Sequence, residues 1–463
     1  MKKWLTLILA ISGCIALSAI SLEESLELAR RNNKTLLMAA EEVSKADATY
    51  RDVRGSLLPQ LNLQGGYNLN TTYLPDSATG AMPKVSEMLD EDTATDNENT
   101  IAGALDGIIG GMVPSSPTKE GSLAMQLKMD QVLFLGGKLI NGIRAVDRYR
   151  SVQRLNYQVK EQDVILTTTE GFYQTLLAGK LVEIQEEGLA TAQRHLERVQ
   201  LLSNEGQVPE FDLLRARLEV AKLEPQVLSA RNNYDLALAA FRKQIGVNDD
   251  SVVPEGEFTL PQIQELELAE AQRLGLENRT ELELLDIATQ IKQIQYNAER
   301  GNYLPNVALS ASASLYTAAD EYAIEADDFG TQYSVGIGFS LPIFTGLSNR
   351  SKITYAKHDL ALAKLQQNDT QELIALQIKQ NHQKLHHAME NYRVQEQNTQ
   401  MAQRNLELAQ LRYENNLGIQ LEVFDAQITL SSIKLQYYSA IYEVIAAERE
   451  FTKSIGQKLI AER

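Results

Sequence analysis

The sequence predicts a mainly α-helical chain that also supplies four β-strands to a membrane β-barrel. Three observations predict this fold. Between Thr331 and Gly346, apolar residues alternate with small or polar ones, which is typical of a strand with two different faces. Helical patterns much longer than a compact domain can hold follow such strands. The unit of strand and long helix occurs twice along the chain, which indicates an internal repeat.

Length, composition and charge limit the possible function classes. The chain has 463 residues, of which 44% are apolar, so it can bury a large core. Its 44 Lys and Arg residues against 61 Asp and Glu residues give a formal net charge of -17. This charge argues against nucleic acid or an anionic membrane surface as a partner, and it is compatible with a solvated duct that favours cations.

The first 19 residues are typical of an export signal peptide. Lys2 and Lys3 form a basic region, and an apolar run up to Ile11 follows. Two processing sites compete. The small residues ending at Ala19 fit one cut, whereas the sequence ending at Cys14 resembles a bacterial lipobox and would leave Cys14 lipidated. The residues after Cys14 stay apolar, which favours the cut near Ala19.

Cysteine and hydropathy patterns restrict the exported chain further. Cys14 is the only cysteine, so neither a disulfide nor a thiolate metal cluster is expected. Beyond the signal, no run of about 18 apolar residues occurs, so no membrane-spanning helix is predicted. An exported chain of this kind is either soluble in the periplasm or inserted as a β-barrel.

The first half begins with a helix and two strands. Residues 22–54 are predicted to form one amphipathic helix, and residues 61–70 and 123–130 alternate as strands. Residues 71–121 between the strands are acidic and contain Gly and Pro, which predicts a long surface loop with loop glycines.

A long helix and its return follow. The helical pattern runs from Gly137 to about Leu202 without a proline, on the order of 100 Å if unbroken. A turn at residues 204–206 leads to a returning helix that ends near Ile245, and Pro225 is expected to kink or break it. Residues 247–265 are predicted to be a linker.

The second half repeats the first. Gly301–Pro305 matches Gly55–Pro59 at an offset of 246 positions, and Ala426 matches Ala216 at an offset of 210. The difference places 36 extra residues in the first strand-to-strand loop, as expected of an exposed surface. The predicted repeats cover residues 20–246 and 266–463.

The strands require more than one chain. With residues 307–315 and 331–341, the chain has four strands of the length needed to span a membrane, about 9–11 residues. Four strands cannot close a barrel, and an open edge in lipid leaves backbone groups unpaired. Three chains would supply twelve strands, an even number within the known range. The helices are too long for one compact domain and are predicted to pack as coiled-coil staves.

Four motifs, in this order on a duplicated framework, resemble those of the outer-membrane factor (TolC-like) family of efflux and secretion ducts. They are Ser21–Leu26, Leu58–Pro59, Leu341–Gly346 and Leu421–Gln427. The resemblance covers nearly all of the mature chain. The chain departs from the pattern at Val132, where the second half has Pro342, and in its long first surface loop.

The resemblance implies a homotrimer with a twelve-stranded barrel in outer-membrane lipid, an α-helical tunnel across the periplasm and an equatorial region that includes the linker. It implies a passive exit duct of a tripartite efflux pump or a type I secretion system, gated at the periplasmic tip. A periplasmic adaptor and an inner-membrane pump would be its partners. Drugs, metal ions and proteins all remain open as the cargo, as does the class of pump.

The resemblance also places a gate at the turns near Asn204 and Asn416. Glu422 and Asp425 match the family's acidic pair, which in a trimer forms carboxylate rings that attract cations. The alternative interpretation is a solvated acidic helix face.

Further gate residues follow from the same comparison. Asp212 is the equivalent acidic residue in the first repeat, and Tyr413 matches a tyrosine of the family's closing network. Gly418 stands where that network has an arginine. One hypothesis is that Arg215 substitutes for it, because Arg215 lies on the tip-proximal face of the returning helix.

No metal site, cofactor or enzyme activity is predicted. His382, His386 and Glu390 recur at a spacing of four residues, which would suit a metal, but a solvated or interfacial helix face is the favoured interpretation. The glycine-rich stretches lack the context of a phosphate loop. No nucleophile is paired with a base.

Two other functions fit parts of the sequence. A structural or adhesive outer-membrane protein would use the helices only to span the periplasm, but spacing alone needs neither a duplicated tip nor an acidic pair. A soluble periplasmic coiled-coil adaptor would not need four alternating strands. The passive duct is therefore the favoured interpretation.

Overall fold

The structure, a computed structural model, describes residues 18–73, 84–89, 95–112, 118–261, 263, 266–319, 327, 329–415 and 417–459. It is mostly helical and divides into two compact units. The helical unit comprises Met1–Thr49, Ala145–Gln293 and Ala356–Arg463, and the sheet unit comprises Tyr50–Arg144 and Ile294–Tyr355. Cys14 and most of the predicted signal peptide lie outside the described residues.

The elements include the predicted long helices and four strands in the predicted order, together with a helix in the predicted surface loop and two short strands. In chain order they are β1 (Ser18–Ile20), α1 (Leu22–Asn32), α2 (Lys34–Gly55), β2 (Gln60–Thr72), α3 (Asp96–Met112), β3 (Thr118–Leu135), α4 (Lys138–Asn204), α5 (Glu210–Ile245), β4 (Val252–Pro254), α6 (Leu268–Asn278), α7 (Thr280–Arg300), β5 (Asn306–Ala319), β6 (Gly330–Ser340), α8 (Ser348–Glu414) and α9 (Gln420–Ser454).

The four predicted strands form one antiparallel sheet in the order β2-β3-β5-β6. Its register places apolar residues of neighbouring strands opposite one another, because Leu63 pairs with Leu127 and Leu309 with Ile337. A register shift between Val132 and Phe134 is the irregularity in the β3–β5 pairing. The strands β2 and β6 are the two edges of this sheet.

The two long helices are confirmed. α4 and α8 each have 67 residues, which corresponds to about 100 Å. Each is followed by a shorter return helix, α5 or α9. Pro225 lies inside α5, which continues through it without a break.

The predicted single helix over residues 22–54 is wrong, because the chain forms α1 and α2 with a break at Asn33. The Asn33 backbone is extended, and its side-chain oxygen accepts hydrogen bonds from the backbone N–H groups of Thr35 and Leu36 at 2.9 and 3.4 Å. Its amide also donates to the Gln244 carbonyl at 2.7 Å. This local capping replaces the helical hydrogen bonds that the break removes.

The C-terminal ends of α1 and α6 each pack closely against a glycine. Gly246 and Gly456 have φ values of 70° and 74°, and a Cβ atom on them would lie within 2.9 Å of the backbone at Asn32 and Asn278 respectively. The two glycines are 210 positions apart, and the two asparagines 246. A contact that requires glycine therefore recurs at matching positions.

Two further predictions are corrected. The glycines at 103 and 107 lie in α3 and are not loop glycines, and the Asp106 carboxylate accepts hydrogen bonds from the backbone N–H groups of Val85 and Ser86. The linker is not without regular structure, because its strand β4 pairs in parallel with β1.

The core of the helical unit is divided into clusters along the helices. In one of them, the rings of Phe172 and Phe241 meet edge to face with centroids 6.0 Å apart. In another, His382 and Phe451, each 210 positions later, meet at 5.7 Å. Phe258 of the linker contacts both Tyr173 of α4 and Tyr438 of α9, with ring centroids 6.0 Å apart in each pair.

Gly136 of the sheet unit is expected to tolerate no side chain. Its φ is 57°, and a Cβ atom would lie only 2.2 Å from the carbonyl oxygen of Gly301. We predict that Gly136→Ala lowers the free energy of unfolding by more than about 1 kcal/mol, measured by thermal or denaturant unfolding of the detergent-purified protein. Gly142→Ala, in the open first turns of α4, is the matched control and should be neutral or stabilising. Equal unfolding free energies for the two variants would contradict the close approach of Gly136 to Gly301.

Candidate functional site at the helix turns

The candidate site lies in the helical unit, where each long helix turns into its return helix. α4 ends at Asn204, Gly206 adopts a φ of 73°, and α5 begins after Pro209. α8 ends at Glu414 and α9 begins after Ile419. Asn416, near which the second turn was predicted, lies outside the described residues.

The helices beside the turns are held together by small and branched residues. Ala216 of α5 and Ala426 of α9, which match at an offset of 210, are both buried. Ala216 packs with Val199 and Leu213, and Ala426 packs against α8 through Leu406. These contacts fix the first turns of α5 and α9, where the candidate acidic residues lie.

The acidic pair has two different environments. Glu422 forms an ion pair with Arg412, with Oε2 and Nη2 3.5 Å apart. Within the described residues, the Asp425 carboxylate makes neither an ion pair nor a hydrogen bond. Both side chains are exposed in the single chain. An ion pair as exposed as that of Glu422 contributes only about 0–1 kcal/mol.

Gly418 makes room for the ion pair of Glu422. A Cβ atom at this position would lie 2.8 Å from Glu422 Oε2 and 3.2 Å from Arg412 Cβ. The Arg412 guanidinium also donates to the carbonyl of Leu417 at 3.3 Å. Arg412, which was not identified from the sequence, is therefore the arginine paired with Glu422.

Tyr413 connects the two long helices. The guanidinium carbon of Arg198, on α4, lies 5.1 Å from the centre of the Tyr413 ring on α8. The Tyr413 hydroxyl donates to Gln420 Oε1 at 3.5 Å. A cation over an aromatic ring contributes about 0.5–1 kcal/mol at an exposed site, so this contact is a weak link.

A cavity of about 410 Å³ lies between α4, α5 and α9. It brings together three of the predicted residues, Asp212, Arg215 and Asp425, with apolar side chains of all three helices. Glu422 and Tyr413 do not line it. Within the described residues, Arg215 forms no ion pair. Its hypothesised role therefore rests on its position beside the two carboxylates.

His195 and Phe424 form one wall of this cavity and were also missed. Their rings stack at 5.4 Å with an angle of 19° between planes. His195 Nδ1 is buried and has no hydrogen-bond partner in the described part of the chain. Burial lowers the pKa of His195, and the nearby charge of Arg198 lowers it further. Phe424 belongs to the Leu421–Gln427 motif, and this motif is the sequence feature from which its place at the site could have been predicted.

His382 on α8 has a structural role. His382 Nε2 lies 3.0 Å from the Leu266 carbonyl, so it holds the segment before α6. Across the described residues, no group of three or more His, Cys, Asp or Glu side chains is placed to hold a metal ion. Searched over the same residues, the helices include none that is both long and apolar enough to cross a membrane.

Comparison with known proteins identifies the family. The model of the outer membrane efflux protein family matches residues 25–247 and 272–457. The outer membrane protein TolC of Salmonella enteritidis is 22% identical over 469 residues, which cover 98% of this chain and 86% of the relative. The outer membrane efflux protein BepC of Brucella suis is 22% identical over 340 residues, which cover 73% of this chain and 72% of that relative.

A solved structure shares the fold. The Campylobacter jejuni CmeC outer membrane channel superposes with a TM-score of 0.72 at 17% identity, covering 94% of this chain and 85% of that one. The arrangement of long helices and few strands is thus that of an outer-membrane channel structure. With the family model matching most of its length, the chain belongs to the outer membrane efflux protein family.

Proposed function

We propose that three copies of this chain form a passive exit duct across the outer membrane and into the periplasm. The observation that carries the proposal is the four-stranded antiparallel sheet with two open edges, β2 and β6, in a chain of an outer-membrane family. An open sheet edge leaves backbone groups unpaired in lipid, so it must be paired with another strand. Pairing β2 of one copy with β6 of the next would close a barrel of twelve strands.

The two faces of the sheet support a barrel wall. The register places Leu63, Leu127, Ala313 and Tyr333 on one face of the four strands. Along β6 this face is strongly exposed, for example 78% at Val335. We infer that it contacts lipid.

The opposite face is polar. The register places Asn62, Lys128, Ser312 and Ser334 together on it. The hydroxyls of Ser312 and Ser334 lie 2.8 Å apart, within hydrogen-bond distance. A face of this kind suits the water-filled interior of a barrel, whose strands alternate apolar-out and polar-in.

Exposed apolar stripes on the helices support association of the copies. On α5, Phe211, Leu214 and Leu218 are exposed at a spacing of three and four residues. On α8, the stripe consists of Val394, Met401, Leu408 and Leu411. We propose that the α5 stripe of one copy packs against the α8 stripe of the next, as in a coiled coil. Such packing would make the helices into a closed tunnel.

The candidate site supports a gate at the tip of that tunnel. In a trimer, Glu422, Asp425 and Asp212 would each be repeated three times around the axis. Rings of carboxylates at a constriction attract cations and repel anions. Tyr413 and Arg215 complete the proposed gate, and Arg412 joins it through its ion pair with Glu422.

The partners are inferred from the family. We propose that a periplasmic adaptor and an inner-membrane pump deliver the cargo, either in a tripartite efflux pump or in type I secretion. The chain itself would supply the path and the gate. A structural or adhesive outer-membrane role remains the second candidate, because the helices alone could span the periplasm.

Processing of the amino terminus belongs to the same proposal. A cut near Ala19 would remove Ser18 and Ala19, two of the three residues of β1. Processing before Cys14 would keep the strand and leave a lipidated cysteine. The intact mass of the membrane-extracted protein distinguishes the two.

Cell fractionation together with light scattering tests the proposal. We expect the native protein in the outer membrane and, after detergent extraction, a particle of three chains. A soluble monomer in the periplasm would contradict both the barrel and the duct.

A further inference from the structure

His195 is the aromatic partner that closes one side of the cavity at the candidate gate. It lies on α4, two turns before the end of that helix, and stacks on Phe424 in the first turns of α9. Phe424 itself is buried against Ala192 of α4 and Val220 of α5. The histidine–phenylalanine stack therefore joins the two hairpins close to their turns.

The environment of the His195 ring favours a hydrogen on one of its two nitrogens, Nε2, over the other, Nδ1. Nδ1 is buried without a hydrogen-bond partner in the described residues, whereas Nε2 is not enclosed in this way. A neutral imidazole with its hydrogen on Nε2 fits this place. Protonation would put an N–H group on Nδ1, where the described residues provide no acceptor, and an unsatisfied buried donor is unfavourable.

The charged groups around the ring do not offset that cost. Arg198 on the same helix repels a positive imidazolium. α5 presents Asp212, Arg215 and Glu219 to the cavity, and α9 presents Asp425. None of these carboxylates hydrogen-bonds the imidazole. α8 contributes no charged group to the cavity lining, and its Tyr413 lies under Arg198.

We propose that His195 is a proton-binding switch at the tip: acidification protonates it, loosens its contact with Phe424 and so separates α4 from α9. Opening of the gate by this separation rests on the proposed function, but the proton-linked loosening does not. Because burial and then Arg198 lower the pKa of His195 from 6.5, the stacked arrangement binds protons less readily than a loosened one. The stack is therefore fully stable above pH 6.5 and loses stability progressively as the pH falls below it.

A tryptophan in place of Phe424 reports on the contact directly. The sequence has a single tryptophan, Trp4 in the predicted signal peptide, so Phe424→Trp supplies a fluorophore at the stack. Protonated imidazole quenches a stacked indole. Between about pH 8 and 5, we expect the fluorescence of Phe424→Trp to titrate with a midpoint below 6.5. Accessibility of the indole to acrylamide should rise several-fold over the same range.

Variants of His195 provide the controls. His195→Gln and His195→Phe, each combined with Phe424→Trp, remove the titrating group, and the phenylalanine keeps an aromatic stack. Both changes with pH should disappear in both variants. The proposal would be overturned if acrylamide accessibility still rose at low pH in the variants without His195. It would also be overturned if accessibility did not rise at low pH in Phe424→Trp with His195 intact.

Conductance in planar bilayers separates this proposal from the duct itself. If both hold, the open probability of the wild-type channel increases several-fold on acidification and that of His195→Phe does not. A protein that conducts with identical pH dependence in both forms keeps the duct and overturns the switch as a gate element. A protein that never conducts contradicts the duct, while the fluorescence experiment still decides the proton-linked loosening.

Discussion

Leu214→Glu/Leu218→Glu is expected to convert the proposed trimer into single chains. Both side chains lie in the α5 stripe and are more than half exposed in one copy, at 55% and 57%. Packing against α8 of the next copy would bury them, and burying a leucine contributes about 1.5–3 kcal/mol. A glutamate in the same place loses this term and adds the cost of an unpaired charge, three times per trimer.

Native mass spectrometry or light scattering of the detergent-purified protein measures the outcome. We expect the wild type to be trimeric and most of the double variant to be monomeric. Gln226→Glu, on another exposed face of α5, is the matched control and should remain trimeric. Trimers of unchanged stability in the double variant would show that the α5 stripe is not an interface between copies.

Glu422→Gln/Asp425→Asn is expected to lower the cation-to-anion permeability ratio of the channel several-fold. The substitutions keep the shape of both side chains and remove the charge of the proposed rings. They also release Arg412, which is paired with Glu422 at 3.5 Å, so a positive group remains where a negative one stood. Both effects weaken the attraction of cations at the constriction. The reversal potential across a salt gradient measures the ratio.

Charge removal elsewhere is the control. Glu224→Gln/Asp235→Asn removes two exposed carboxylates of α5 away from the turns and should leave the ratio close to that of the wild type. High salt should reduce the wild-type selectivity, because it screens exposed charges. Equal ratios for the wild type and the turn variant would remove Glu422 and Asp425 from the gate and leave the duct intact.

Much of the fold could be predicted because its patterns are long. The alternation over residues 61–70 and the helical periodicity from Gly137 to about Leu202 are long enough to average over local exceptions. The break at Asn33 has no signal in the helical periodicity, because it rests on a side-chain cap at one residue and on a hydrogen bond to Gln244, far along the chain. The pairing of β1 with β4 involves only three residues of each strand. A pattern of that length carries no usable signal.

The candidate site was predictable in part because the sequence is duplicated. The repeat offset of 210 relates Asp212 to Glu422 and Ala216 to Ala426, so their common location followed from the duplication. The contacts of Arg198 and His195 did not follow, because they depend on how α4 packs against α8 and α9. The ion pair of Arg412 did not follow either, because it depends on how the turn between α8 and α9 folds. A sequence predicts the helix face on which a residue lies. It does not predict which residue of a neighbouring helix that residue contacts.

Disulfide formation between β2 and β6 tests the central claim most directly, since the claim is that these edges pair between copies. One cysteine replaces Leu63 on β2, and a second is moved along the same face of β6 through Tyr333, Val335, Ile337 and Phe339. Oxidation in outer membranes is predicted to give a covalent trimer for one position or two adjacent ones, and monomers for either single cysteine. If the protein reaches the outer membrane and no position yields linked chains, the shared barrel is wrong.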